Sequence, residues 1–292
     1  MLLAGYEGAG SLASYPAVLG SSGAGVVEEL GSEVTEVRVG DRVVFDTRAY
    51  VNGDANSREG TWQQLVVCDA KTVAQIGDIA FEQAVLVDFP LQTAVAALHV
   101  FLGMGKPGTG NEEEKVLVWG AGGAVGSYAV QYAKSVGHSV VVTASPRDAE
   151  RQKRLGAAEV FDYKDPEVVN RLRSLGPYKY LFTGSGDATS QKALVALLEG
   201  RGKFASVLGG DVELPSNVER MYVPFSQAAQ KDEYHAWRDW WFKEYLPHVL
   251  QANVVEPVKF TKRDGGLAAL QGASADVFGG KVRGKLVINP QE

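Results

Sequence analysis

Gly120, Gly122, Gly123 and Gly126 are the residues of this chain best suited to do chemistry through the backbone. They follow the apolar run Val116 to Trp119 and lead into Ala124 to Val136, whose apolar side chains recur at helical spacing. Glycines let a chain turn sharply and bring its backbone close to a pyrophosphate. The helix behind them offers unpaired N–H groups and a partial positive charge. In the order strand, loop, helix, strand, the pattern predicts a dinucleotide held at Gly122, Gly123, Ala124 and Val125. The other reading is a tight turn without a ligand, which rarely needs four glycines.

The end of the next strand, Ser139 to Ala144, selects the dinucleotide. Sites for NAD place Asp or Glu about 20 residues beyond the loop, on the ribose hydroxyls. Here that position reads Ser145-Pro146-Arg147. A hydroxyl and a guanidinium suit a 2′-phosphate, so NADPH is the expected cofactor. Asp148 is read as the N-cap of the following helix. Two readings stand for Arg147, a phosphate ligand or a solvated loop charge. Tyr163 and Lys164, after the third strand, either approach the same adenine end or form a surface turn.

These residues need a frame. Up to residue 80 the chain reads as β-rich, with strands expected at Gly25 to Leu30, Arg42 to Phe45 and Trp62 to Val67. Beyond the apolar helix expected within 81–103, strands (116–119, 139–144, 159–163, 180–183, 203–208) alternate with helices (124–136, 148–155, 166–175, 188–199). That rhythm predicts a parallel sheet wound by right-handed crossovers. An aromatic helix is expected over 232–251, where Trp240 and its neighbours either roof an apolar channel or fill a core. A strand at 257–261, a helix at 264–278 and a strand from Gly284 to Ile288 close the chain. The fold class is α/β: a small β domain and a doubly wound parallel sheet.

Composition narrows the function. The 292 residues are 45% hydrophobic and 22% charged, with a formal net charge of −6. No block of Lys and Arg interrupts that balance, so a nucleic acid is not an expected partner. No apolar run reaches the length that spans a bilayer, which argues against a membrane. The N-terminus lacks the pattern of a signal peptide, and a cytoplasmic protein is expected. Cys68 is the single cysteine, which excludes an intrachain disulfide and a cysteine zinc cage. His99, His138, His235 and His248 show no ligand spacing, so no metal site is expected. No Ser-His-Asp set or carboxylate pair competes for a catalytic role.

Three segments carry a family resemblance. YPAVLGSSGAGVVEELGSEVTEVRVGDRVVF resembles the GroES-like domain of the medium-chain dehydrogenase/reductase superfamily, GAGGAVGSYAVQYAKSVG its Rossmann loop and helix, and GGKVRGKLVINP its closing strand. The SPR tripeptide and the Trp-rich helix are similar to zinc-free fungal members, among them trans-acting enoyl reductases of polyketide synthases and quinone oxidoreductases. Zinc-using members carry Gly-His-Glu where this chain has Gly20-Ser21-Ser22, and a four-cysteine lobe where it has 46–61.

The resemblance implies a GroES-like domain over 1–88, a Rossmann domain over 89–252, and a segment 253–292 that completes the first. It implies hydride transfer from NADPH to the β-carbon of a conjugated carbonyl. Thr93 would start the helix bordering the cleft, as an N-cap, a contact to substrate or nicotinamide, or both. Ala94, Leu98, Phe101, Met221 and Phe225 would border the substrate. Val207, Leu208, Val282 and Arg283 would approach the nicotinamide. The substrate would be a small molecule or a carrier-bound acyl chain, with a polyketide synthase as partner and a homodimer as the assembly. Family members also carry a longer segment ahead of Tyr15, with a motif that lines the nicotinamide. Three functions follow: an enoyl reductase, a quinone or enone oxidoreductase on free small molecules, or an NADP-binding protein whose short N-terminus prevents turnover.

Overall fold

The computed structural model describes residues 17–49 and 56–292. Tyr15 and Pro16, the N-terminal residues, and the start of the polar stretch at 52 lie outside the described residues, as does the expected N-terminal wall of the nicotinamide site. The chain divides into two compact units, Met1–Phe89 with Gln227–Glu292, and Pro90–Ser226. The first division falls one residue past the expected one. The second falls at Ser226/Gln227 rather than after 252.

In the first unit, β1 (Ser22–Val26) runs antiparallel to β2 (Arg42–Asp46), which runs antiparallel to β3 (Val73–Gln75). Gly23 lies against the Phe45 ring, and a Cβ there would fall 2.8 Å from it, so the close approach requires glycine. β1 starts and ends earlier than the expected Gly25 to Leu30 run. Val27 already exchanges bonds with Gly40 and Asp41 across the connection to β2. The strand expected at Trp62 to Val67 does not form. Trp62 N–H donates to Leu19 O and Val67 N–H to Arg58 O, so the segment folds onto loops instead of a ladder. The short helix α1 (Asn56–Glu59) is fixed by Glu59, 1% exposed, which accepts from the Arg48 backbone and guanidinium.

Helix α2 (Phe81–Val95) continues through a wider-wound turn, Ala96–Phe101, as one helix of 21 residues. Among the described residues it alone is long and apolar enough, by length and composition, to cross a membrane. Ala84, Leu91 and Ala94 to Leu98 are wholly enclosed, as are the polar Asp88 and Gln92, which marks a core helix. Pro90 lies inside it and supplies no N–H to the ladder.

The second unit follows the expected alternation. It contains β4 (Lys115–Trp119), α3 (Ala124–Val136), β5 (Ser139–Ala144), α4 (Ala149–Arg154), β6 (Ala157–Asp162), α5 (Val168–Leu175), β7 (Tyr180–Thr183), α6 (Ala188–Leu197), β8 (Gly202–Ser206) and β9 (Val218–Met221). All six strands are parallel, in the order β6-β5-β4-β7-β8-β9. Counting from β4, that is the 3-2-1-4-5-6 order of a Rossmann sheet. Leu117, Trp119, Val141, Leu181 and Phe204 pack against Leu172 of α5 and Leu194 of α6 to form a core. The edge strand β9 was not expected, because Val-Glu-Arg-Met shows little apolar alternation.

Back in the first unit, α7 (His235–Asp239), a wider-wound turn Trp240–Tyr245 and α8 (Leu246–Gln251) make up the aromatic helix. Trp240 stacks on Tyr245 at 4.7 Å, and Trp237, Trp241 and Phe242 are buried with them, so of its two readings the helix fills a core. β10 (Phe260–Lys262), α9 (Leu270–Phe278) and β11 (Lys285–Val287) follow, with β10 and β11 paired in parallel.

Candidate cofactor site

The strand order reverses at β4, whose two sheet neighbours run off in opposite directions. Ligands of such sheets bind outside the carboxyl ends of the strands at that reversal. The glycine loop occupies this point. Gly120 has φ +80°, and a Cβ on it would press on Ser185. Gly126 packs directly on Gly120 O, and Gly184, after β7, packs on Gly126. These backbone approaches bring β4, β7 and the start of α3 together.

The loop is held from below. Gly120 N–H donates to Thr143 Oγ1 (3.1 Å), Ala121 N–H to Thr143 O (2.9 Å), and the buried Gln152 amide to Ala121 O (3.0 Å). Its upper side is open. Gly122 and Gly123 are exposed, and Ala124 and Val125 are half-buried. Gly123 precedes α3 and carries no side chain of its own to cap the helix N-terminus. A helix N-terminus led by exposed glycines fits a phosphate-bearing group.

Ser145 is half-buried and Arg147 is exposed at the end of β5, as the sequence placed them, with Pro146 in the single turn between. Asp148 departs from expectation. It occupies the position before α4 but makes no capping bond. Its Oδ2 lies 3.8 Å from Arg147 Nε and 3.2 Å from where a Gly122 Cβ would be. A carboxylate thus leans over the glycine loop beside the guanidinium. Tyr163 is exposed after β6, with Lys164 Nζ 5.8 Å from its ring centre.

Thr93 is half-buried inside α2, not at a helix start, so the expected N-cap role is excluded by the helix that precedes it. Ala94 and Leu98, on the same helix, have no exposed surface and act on any neighbour only by packing. Phe101 and Phe225 meet edge-on at 5.3 Å, and Met221 ends β9 half-buried. Val207 and Leu208 follow β8, with Leu208 53% exposed. Val282 and Arg283 precede β11 in the other unit.

The sequence reading missed the loop after β7, Gly184-Ser185-Gly186-Asp187. A second glycine-rich turn behind an apolar strand was its signal. Asp187 Oδ1 accepts from Ser190 N–H and caps α6, and Thr183 Oγ1 accepts from Gly186 N–H. Burial works to raise the Asp187 pKa, but hydrogen bonds from Ser185 and the backbone outweigh it and lower it.

The first unit holds a different polar group. Ser22, in the Gly20-Ser21-Ser22 segment, donates to the wholly buried Asp88 at 3.4 Å. Burial pushes the Asp88 pKa up to about 7, against the pull of polar contacts with Trp241, Asp46 and Ser22. His99 and His235 are each engaged by a backbone carbonyl through Nδ1, and His138 by Asn111 O with Glu114 beside it. Burial raises the Cys68 pKa to about 12, which leaves its thiol protonated and unreactive.

Two family profiles match the chain: the alcohol dehydrogenase GroES-like domain over residues 3–78, and the zinc-binding dehydrogenase over 124–229. A protein named trans-enoyl reductase from Alternaria alternata is 31% identical over 288 residues, which cover 92% of this chain and 82% of that one. Another of that name from Aspergillus terreus is 38% identical over 207 residues, 66% of this chain and 67% of the relative. Against two further curated relatives the matched stretch spans about half of their length. A mycobacterial protein solved in complex with NADPH superposes with a TM-score of 0.71 at 25% identity, covering 94% of this chain and 84% of that one.

Proposed function

The chain belongs to the medium-chain dehydrogenase/reductase superfamily, in its zinc-free branch, and from that premise we propose that it reduces an activated C=C bond with NADPH. The observation that carries the reading is the exposed glycine loop leading into the N-terminus of α3, with Ser145 and Arg147 at the end of the adjacent β5. The named activity of the fungal relatives and the NADPH complex of the mycobacterial neighbour support it.

Each part of the site has a task. The N–H groups of Ala124 and Val125 bind the pyrophosphate. The Arg147 guanidinium and the Ser145 hydroxyl take the 2′-phosphate, and Tyr163 with Lys164 flanks the adenine. Val207 and Leu208 border the nicotinamide. NADPH, when bound, supplies the hydride for the β-carbon of the conjugated carbonyl. A proton then completes the α-carbon. Negative charge grows on the carbonyl oxygen during transfer, and a fixed donor there lowers the barrier. Thr93 is the candidate donor, on a rigid buried helix. The substrate is an α,β-unsaturated acyl thioester carried by a synthase partner, and no metal takes part.

A cofactor titration and a substrate panel test this. We expect Kd for NADPH at least ~10-fold below that for NADH, since two charge-assisted bonds readily supply ~1.4 kcal/mol. We expect turnover of an unsaturated thioester that survives a chelator. Equal cofactor affinities, or turnover of quinones with none of the thioester, would overturn the proposal.

A further inference from the structure

The loops after β7 and β8 are joined by one buried side chain. Gln191, on α6, is 1% exposed. Its Nε2 lies 2.6 Å from Gly186 O, 2.6 Å from Gly209 O and 3.3 Å from Leu208 O. Its Oε1 accepts from Arg220 Nη1 at 2.7 Å, and Arg220 Nη2 reaches Gly210 O at 2.8 Å. The amide orientation is forced. Turned over, it would set an oxygen against three carbonyl oxygens and an NH₂ against a guanidinium.

Four carbonyls, those of Gly186, Leu208, Gly209 and Gly210, are thereby drawn toward Gln191 and Arg220. In a trans peptide the N–H points opposite to the C=O. The N–H groups of Gly209, Gly210 and Asp211 are therefore turned away from the clamp. Among the described residues, no protein acceptor receives them. Ser206 Oγ fixes the loop further by donating to Leu208 O at 2.6 Å. The adenosine end belongs on the β5 side, with Ser145 and Arg147, so the other half of a dinucleotide falls over β7 and β8.

We infer that Gln191 and Arg220 are positioning residues that hold the 207–211 loop with its N–H groups outward, as donors to the nicotinamide carboxamide oxygen. The inference rests on the NADPH reading above. It adds residues of α6 and β9 that face away from the bound group and act through the loop.

The test compares NADPH with 2′-phospho-ADP-ribose, which lacks the nicotinamide. Gln191→Leu and Arg220→Met should leave the fragment's Kd within about twofold but reduce NADPH's advantage over it by about tenfold, the scale of one or two hydrogen bonds. Arg220→Lys should recover part of that advantage. In the unsubstituted protein, amide exchange at 209–211 should slow with NADPH and not with the fragment. That measurement is independent of whether a variant folds. Equal weakening of both ligands, or exchange at 209–211 indifferent to the nicotinamide, would overturn the inference while leaving the cofactor assignment in place. Failure of the unsubstituted protein to bind either ligand would remove the cofactor assignment first and this inference with it.

Discussion

Arg147 and Asp148 set opposite charges 3.8 Å apart beside the glycine loop. Arg147 is 66% exposed along its side chain, so its pairing with Asp148 is screened and weak, and a phosphate can recruit it. Arg147→Ala should weaken NADPH at least ~10-fold and NADH little. Asp148→Asn should do the reverse, tightening NADPH severalfold by releasing the guanidinium and removing a like charge. Titrations at two salt concentrations would check both, and an Asp148→Asn variant that binds NADPH more weakly would refute the account. The position of Arg147 after β5 was legible in the sequence, while its role toward a phosphate is part of the proposal. The lean of Asp148 was not legible, since adjacency in sequence says nothing about which way a side chain leans.

Periodicity located nearly every element of the parallel sheet, because strands buried on both faces and amphipathic helices leave strong patterns. It failed where pairing depends on distant partners. β3 is three residues long, β9 is a polar edge strand, and Trp62 to Val67 looks like a strand whose N–H groups go elsewhere. For Thr93 only the N-cap reading fails, because α2 starts at Phe81. The resemblance implied a helix start at Thr93, yet buried apolar neighbours carry α2 straight through Pro90. Near the end of that helical stretch, Phe101 packs on Phe225, which is 2% exposed. Phe225→Ala should cost about 3 kcal/mol or more through the cavity it leaves. Denaturant unfolding would measure it, and a loss under ~1 kcal/mol would mean that the pair contributes little packing.

At the scale of the whole molecule, Asp88 links stability to pH. Its folded pKa of about 7 lies above the model-peptide value of 3.8, so the folded state holds the proton more tightly than the unfolded one. Its contribution is complete below the lower value, declines as pH rises between the two, and is gone above about 7. Asp88→Asn keeps the shape and cannot ionise. Melting temperatures of the two proteins should converge at acid pH, and the variant should gain on the parent up to neutrality. Parallel curves from pH 4 to 8, across that titration range, would show that Asp88 does not titrate there. Asp276 and Glu36 have lowered pKa values and work in the opposite direction at acid pH, so the difference between the two proteins is the quantity to read.

The first unit is assembled from the two ends of the chain, and the second from an unbroken middle. β3 packs against α8, and Gln291 donates to Gln64 O across that interval. On a ribosome the order of appearance is fixed, and domains generally fold as units. The β-rich segment precedes the Rossmann unit but must wait for Gln227–Glu292 to be translated. The Rossmann unit has all its strands once Met221 has left the exit tunnel. During synthesis the Rossmann unit can therefore close while the first unit still lacks its later segment, Gln227–Glu292.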